Sequence, residues 1–214
     1  MKRGVFITFE GGEGAGKSIQ VDILASHLHE ENYNLVVTRE PGGTRIGEQI
    51  RSITHSQENV DLDPITEAYL MAAARAQHVV QVIEPSLEAG KVVLCDRYVD
   101  SSIAYQGYGR KLGWEVVRGL NELAVNGAIP DLTLLLDVPV ARGLTRRHKS
   151  EKTKDRLDMQ QHEFYDRVRQ GYLELAKQNP TRFVMVDATK TIEKVGEEVW
   201  KIVKSRLDGF RSET

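Results

Sequence analysis

Five short, nearly continuous apolar runs recur along the chain, each bounded by turn-forming residues. They occupy residues 4–10, 34–40, 91–96, 132–138 and 182–188. Strands with one face in water alternate apolar and polar residues, whereas these runs do not, which is typical of parallel strands buried on both faces. Parallel strands need long crossover connections, usually helices. The sequence therefore predicts an α/β fold built on a doubly wound parallel sheet.

Segments with helical spacing of apolar residues separate these runs. They span residues 17–31, 46–57, 63–89, 100–108, 114–126, 140–147, 160–178 and 192–206. Pro64 and Pro139 fit the first turn of a helix, and Gly90 and Gly127 fit the left-handed position that ends one. No linker, internal repeat or low-complexity tract interrupts the pattern. We expect one domain over residues 1–214, with a tail at 207–214 that frays.

The composition excludes several classes of function. Lys and Arg number 29 against 31 Asp and Glu, so the net charge of −2 gives no general attraction to nucleic acid or to an anionic membrane. The single cysteine, Cys95, excludes a disulfide framework and a multi-cysteine metal site. No apolar stretch approaches the roughly 20 residues that span a bilayer, and the N-terminus does not resemble a signal peptide. We expect a cytoplasmic protein that binds neither nucleic acid nor membrane.

A glycine-rich loop follows the first apolar run and leads into the first helical segment. Its sequence, EGGEGAGKS at 10–18, matches the pattern G-x-x-x-x-G-K-[ST] in the context that the pattern requires. Such a loop turns backbone N–H groups toward phosphate oxygens, while the lysine reaches the β and γ phosphates and the hydroxyl binds Mg²⁺. The residues predicted to bind ATP are Gly11, Gly12, Glu13, Gly14, Ala15, Gly16, Lys17 and Ser18.

A second polar segment, DRYVDSSIAYQGYGR at 96–110, starts at the carboxyl end of the third run. Doubly wound folds bind their ligands at that edge of the sheet, so this segment is predicted to line the site of a second substrate. The residues that it would contribute are Asp96, Arg97, Ser101, Ser102, Tyr105 and Gln106. Neither an N-K-x-D nor a D-x-x-G motif accompanies the loop, which argues against a switch GTPase.

These motifs together resemble the thymidylate kinase family, whose members phosphorylate dTMP to dTDP. The resemblance rests on FEGGEGAGKS, TREPGGTRIGEQIR at 38–51, AAARAQH at 72–78, DRYVDSSIAYQG, PDLTLLLDV at 130–138 and DRLD at 155–158. It implies the P-loop nucleoside monophosphate kinase fold, with a five-stranded sheet and a short lid at about 142–157. It also implies ATP and dTMP as substrates, Mg²⁺ as cofactor and a homodimer.

The resemblance further implies roles for single residues. Arg97 would hold the dTMP phosphate with Arg39 close by, and Asp96, with Ser18, would organise Mg²⁺. Arg75 and Gln106 would hydrogen-bond the thymine edge. The remaining residues implied for dTMP are Glu13, Arg51, Met71, Ser102 and Tyr105, the last of which would disfavour a ribose.

The lid is expected to supply positive charge to the transferring phosphoryl group. Residues 142–156 hold seven Lys or Arg against two acids. Some family members carry an arginine in the glycine-rich loop, which is called the P-loop and spans residues 10–18 here. Gly14 occupies that position in this chain, so the resemblance assigns the charge to the lid. Arg156 is the predicted catalytic cation of the lid, with Arg147 and Lys149 as the next candidates. The other predicted catalytic residues are Lys17, Asp96 and Arg97.

Two residues depart from the family pattern. Ile19 stands where a hydroxyl residue is common, and Met71 stands where a phenylalanine stacks on thymine. Two alternatives therefore stay open beside a dTMP kinase. One is a kinase of the same fold for another nucleoside monophosphate or a deoxynucleoside, and the other is a nucleotide-binding regulator without turnover.

Overall fold

The computed structural model describes residues 3–149 and 155–212 and folds them around one parallel sheet. The five strands are β1 (Val5–Glu10), β2 (Leu35–Arg39), β3 (Val92–Asp96), β4 (Leu132–Asp137) and β5 (Phe183–Asp187). All pairings are parallel and the order is β2-β3-β1-β4-β5. The prediction of a doubly wound, five-stranded parallel sheet is confirmed.

Helices cover both faces of the sheet. They are α1 (Lys17–Glu30), α2 (Arg45–His55), α3 (Pro64–His78), α4 (Glu84–Glu88), α5 (Val99–Ser102), α6 (Trp114–Val125), α7 (Val140–Lys149), α8 (His162–Gln178) and α9 (Ile192–Ser212). π-Helical segments at Val79–Ile83 and Ile103–Gly109 continue α3 into α4 and extend α5, and a 3₁₀ turn spans Arg156–Met159. Gly90 and Gly127 adopt the predicted positive φ, at 72° and 77°.

The sequence interpretation was wrong in two places. The two edge strands are not buried on both faces: Val37 of β2 and Met185 of β5 are 47% and 49% exposed, because each has a neighbouring strand on one side only. The last helix does not end at Arg206 but continues to Ser212, since no glycine or proline stops it until Gly209, which α9 absorbs. None of the helices in residues 3–149 and 155–212 combines the length and the apolar character that a membrane span requires.

Two hydrophobic layers fix the sheet in place. On one face, α1 and α9 pack Leu24, Leu28, Val199 and Val203 against the central strands. On the other face, α8 packs on the π-helical segment 103–109 through side chains that include Tyr105, Phe164 and Tyr172. Full burial of each large apolar side chain contributes about 1.5–3 kcal/mol. These layers hold the carboxyl ends of β1 and β3 rigidly at one edge of the sheet.

Candidate active site

The carboxyl ends of β1 and β3 lie side by side, because Phe9 pairs with Asp96 in the parallel register. The loop after β1 and the segment after β3 therefore open into one cleft of about 880 Å³. Of the residues predicted from sequence, the cleft is lined by Glu13, Gly14, Ala15, Gly16, Lys17, Ser18, Arg39, Arg51, Met71, Arg75, Asp96, Arg97, Ser101, Ser102, Tyr105 and Gln106. Gly11 and Gly12 line a small separate cavity instead, and Arg156 does not line the cleft.

The loop between β1 and α1 needs glycine at two close approaches. A Cβ at Gly11 would overlap the backbone oxygen of Leu136, and a Cβ at Gly14 would overlap that of Gly143 on α7. Both glycines also have positive φ, at 138° and 67°. Position 14 therefore has no room for a side chain while α7 keeps this position, so an arginine could not be accommodated there.

The Lys17 side chain folds back onto the backbone of this loop. Its Nζ donates to the carbonyl oxygens of Gly11 at 3.0 Å and Gly12 at 2.9 Å. Burial lowers the pKa of Lys17 to about 8, and repulsion from Arg97 is the second largest cause. The Glu13 carboxylate opposes this shift. The ammonium is thus fixed beside the N-terminus of α1, where helix N–H groups also favour an anion.

Ser18, in the first turn of α1, and Asp96, at the end of β3, come together in the cleft. The Ser18 hydroxyl donates to Oδ2 of Asp96 at 2.5 Å. Two adjacent oxygen donors, one charged and one neutral, form the kind of partial site that Mg²⁺ completes with phosphate oxygens and water. These residues therefore fit the predicted metal on the chemistry of their donor atoms.

Arg97 is the centre of a polar cluster on the side of the cleft formed by the segment after β3. Its Nη2 donates to Glu13 Oε1 at 2.7 Å and to the Tyr105 hydroxyl at 3.1 Å, and Tyr105 in turn donates to Glu13 at 2.8 Å. Arg97 has a positive φ of 69°, a strained conformation for a residue with a side chain, which the surrounding contacts maintain. Burial alone would raise the pKa of Glu13, but Arg97, Lys17 and the Tyr105 hydrogen bond lower it to about 2.

The buried carboxylate of Glu10 holds the residues around this cluster in position. Glu10 accepts hydrogen bonds from the backbone N–H of Tyr98 at 2.8 Å, from Ser101 at 2.6 Å and from the Tyr172 hydroxyl at 2.8 Å. Burial raises its pKa to about 7, and the nearby Asp100 carboxylate adds to the shift. Glu10 thereby ties the end of β1 to the segment that carries Arg97.

Arg75 lies deep in the cleft in a fixed orientation. Its Nε donates to Glu40 at 2.8 Å, and its Nη1 donates to Ser102 at 3.0 Å and also to Asn121. Its Nη2 lies 2.7 Å from the Glu40 carboxylate, which leaves Nη2 as the guanidinium nitrogen with donor capacity for a ligand. Met71, one helical turn before Arg75, is partly buried and lines the same pocket.

Arg39 and Arg51 border the cleft from the TREPGG segment. Arg39 pairs with Glu48 at 3.1 Å and its side chain is 57% exposed, so it can reorient toward a ligand at little cost. Arg51 donates a hydrogen bond from Nη1 to the carbonyl oxygen of Pro41 at 3.0 Å. Both place positive charge on the side of the cleft where Arg97 lies.

The structure places Arg156 differently from the sequence prediction. Arg156 is buried, donates to the Thr54 carbonyl oxygen at 3.1 Å and pairs with Glu67, so its guanidinium faces the protein interior. Arg147 does line the cleft, paired with Asp158 at 2.6 Å and close enough to Glu13 to help lower the pKa of that carboxyl. Lys149 is exposed and does not line the cleft, and residues 150–154 of the predicted lid lie outside the described residues.

The sequence reasoning missed two parts of the cleft. One is the segment after β5, where residues 188–193 line it beside Arg142 and Arg146 of α7. Arg142 and Arg146 donate to the carbonyl oxygens of Thr189 and Ala188, at 2.7 and 2.8 Å. The rule that ligands bind at the carboxyl ends of strands would have found this segment. The other is His55 at the end of α2, for which no pattern in the sequence gave a signal.

Three comparisons agree with this geometry. A family model described as thymidylate kinase matches residues 9–199. The thymidylate kinase of Geobacillus thermodenitrificans is 48% identical over 97% of this chain and 93% of its own, and that of Oenococcus oeni is 48% identical over 98% and 100%. The crystal structure of thymidylate kinase from Ehrlichia chaffeensis superposes with a TM-score of 0.77 at 36% identity, covering 94% of this chain and 99% of that one.

Proposed function

The chain belongs to the thymidylate kinase family, and on that premise we propose how its cleft transfers a phosphoryl group from ATP to dTMP. It is an ATP-dependent phosphotransferase with the P-loop kinase fold. The observation that carries the proposal is that Lys17 of the P-loop and the Arg97 cluster line one and the same cleft. In-line transfer needs a donor phosphate and an acceptor phosphate held together in this way.

On the donor side, the P-loop and α1 bind the ATP phosphates. Backbone N–H groups of residues 13–18 and the α1 N-terminus surround the β and γ phosphates, and Lys17 turns from its loop carbonyls to them. Ser18 and Asp96 would hold Mg²⁺, which would supply positive charge to the phosphates during transfer. Arg142, Arg146 and the segment 188–193 form the wall on which the rest of ATP lies.

On the acceptor side, Arg97 holds the dTMP phosphate, with Arg39 and Arg51 adding charge. Guanidinium groups suit this role because their N–H donors match phosphate oxygens in pairs. Tyr105, fixed by Arg97 and Glu13, closes the sugar side of the pocket. The attacking oxygen belongs to the acceptor phosphate, so no protein nucleophile is required.

At the base, Arg75 and Gln106 contact the edge of thymine. Both are almost fully buried and both line the cleft. A buried polar edge that matches thymine disfavours other bases, because a mismatched base leaves donors or acceptors unpaired. This selection favours dTMP over the other monophosphates that the fold could serve.

The products test the reaction directly. Incubation with ATP, dTMP and Mg²⁺ is expected to yield ADP and dTDP in equal amounts by ³¹P NMR, and a chelator should stop the reaction until Mg²⁺ is restored. A nucleotide-binding regulator would give no turnover, and release of inorganic phosphate in place of dTDP would mean that water is the acceptor.

Met71 offers a test of the base pocket. Met71→Phe is expected to tighten dTMP binding by about 0.5–1.5 kcal/mol, because a ring stacks on the base where a thioether only covers it. Calorimetric titration of dTMP measures the change, with Met71→Leu as a control that keeps the volume without adding a ring. Weaker binding by the phenylalanine variant than by the leucine variant would mean that residue 71 does not face the base.

We also propose a cytoplasmic homodimer, with ATP and dTMP drawn from the cytoplasmic pools. The support for the dimer is a set of exposed apolar side chains on α3, on the π-helical segment that follows it and on α6, and α3 and α6 pack against each other. It comprises Ile65, Tyr69, Val80, Val116 and Leu123, and Leu123 is 93% exposed. Such surfaces on adjacent helices are typical of protein interfaces.

Leu123→Glu is expected to convert this dimer to a monomer, because it would bury a charge in the apolar interface. Light scattering coupled to size-exclusion chromatography measures the mass of wild type and variant. Met185→Glu, on the edge strand β5, is the control that adds the same charge elsewhere and should leave the mass unchanged. A wild-type mass near 24.1 kDa would contradict the homodimer.

A further inference from the structure

Glu67 of α3 is fully buried between Gln106 of the base pocket and the 3₁₀ turn at Arg156–Met159. Its Oε1 accepts a hydrogen bond from Gln106 Nε2 at 2.7 Å. Its Oε2 accepts a bond from Arg156 and lies 3.1 Å from Nη2 of Arg110. The carboxylate therefore has an amide on one oxygen and two guanidinium groups on the other.

This arrangement determines which way the Gln106 amide faces. A carboxylate can only accept hydrogen bonds, and the two guanidinium groups beside its other oxygen offer only donors. Gln106 must then turn its NH₂ group toward Glu67. Its Oε1 is left as the polar atom for the cleft, and no residue within 3–149 or 155–212 donates a hydrogen bond to it.

We infer that Glu67 is a positioning residue for base specificity, which fixes Gln106 with its amide oxygen toward the acceptor base. The inference rests on the proposed function, in which Gln106 reads the base edge. An oxygen at this position accepts a hydrogen bond from the N3–H of thymine or uracil. It repels cytosine, whose N3 is itself an acceptor, so Glu67 selects against dCMP without touching the substrate.

Glu67→Gln provides a sharp test because the variant has a defined new geometry. The guanidinium groups of Arg156 and Arg110 offer only donors, so they attract the oxygen of the new amide. The NH₂ of that amide then faces Gln106, which must present its own oxygen to it and its NH₂ to the cleft. The polarity of the base-reading group is thereby reversed.

The measurement is kcat/KM of the full chain for dTMP, dUMP and dCMP with saturating ATP. In Glu67→Gln, the ratio of dTMP to dCMP is expected to fall at least about tenfold, the worth of one mismatched buried hydrogen bond. The ratio of dTMP to dUMP should stay at the wild-type value, because these bases share the N3–H. Loss of stability alone would lower all three rates and leave both ratios unchanged.

Asp100→Asn is the matched control. Asp100 is a buried carboxylate paired with Arg182 at 2.6 Å, outside the base pocket, so its amide variant loses a comparable ion pair. Its dTMP to dCMP ratio should equal that of wild type. An unchanged ratio in Glu67→Gln, or an equal fall in Asp100→Asn, would overturn the inference.

A second measurement applies if Glu67→Gln does not fold. A neutron structure of the wild-type complex with dTMP should place both Gln106 amide deuterium atoms on the side of Glu67. Deuterium atoms facing the thymine would overturn the inference. Failure of wild type to phosphorylate dTMP at all would instead contradict the proposed function, which separates the two claims.

Discussion

Lys17→Met is expected to lower kcat about a thousandfold while leaving the fold intact. A unit charge about 4 Å from the transferring phosphates contributes about 4 kcal/mol at an effective dielectric constant near 20, and about 1.4 kcal/mol corresponds to tenfold in rate. Methionine keeps most of the buried stem, so only the ammonium and its bonds to Gly11 and Gly12 are lost.

The Lys17→Met effect should appear in kcat more than in KM for dTMP, because the charge acts on the donor phosphates. Steady-state rates with varied dTMP separate the two parameters, and a thermal unfolding midpoint close to wild type serves as the control. A kcat within about threefold of wild type would show that the P-loop lysine does not stabilise the transferring group.

Arg147→Ala is expected to lose mainly turnover, whereas Arg156→Ala is expected to lose mainly stability. Arg147 lines the cleft, so its loss should lower kcat by about a hundredfold, in the range for one charged donor to the transition state, and should cost less stability than the loss of Arg156 because its side chain is more exposed. Arg156 is buried on Glu67, so its loss should lower the free energy of unfolding by about 3–5 kcal/mol, the cost of breaking a buried ion pair.

Rates and urea unfolding curves for both variants decide between the two roles. The residue predicted from sequence, Arg156, would be reinstated if its alanine variant kept wild-type stability and lost turnover while Arg147→Ala stayed active. That outcome would require the lid to rearrange on substrate binding so that Arg156 leaves Glu67.

The fold could be predicted from the sequence because its signals are local. Buried strands at 4–10 and 91–96 are continuous apolar runs, and the P-loop lies between a strand and a helix within ten residues. Once the order of elements was known, the parallel register brought Asp96 beside the P-loop without further information. The extension of α9 to Ser212 was missed because a single glycine does not end a helix whose other residues favour it.

The partners of the buried charged side chains, and the way these side chains point, could not be predicted from local patterns. Arg156 and Glu67 are 89 positions apart, and nothing in either local pattern indicates that they meet. A cluster of cations predicts a flexible basic segment, but which guanidinium faces the cleft depends on the packing of α2, α3 and the turn at Arg156–Met159. The role inferred for Glu67 was equally inaccessible, since in the sequence it is one acidic residue in an amphipathic helix.

The choice of acceptor tests the central claim most directly. We would measure kcat/KM of the wild-type enzyme for dTMP, dCMP, AMP and thymidine at saturating ATP and Mg²⁺. Phosphorylation of dTMP is predicted to exceed that of dCMP and AMP by at least about a hundredfold, because mismatched bases leave buried polar groups unpaired, and thymidine should not be phosphorylated because Arg97 has no phosphate to hold. Comparable values for dTMP and either other monophosphate, or efficient use of thymidine, would contradict the assignment of this cleft to dTMP.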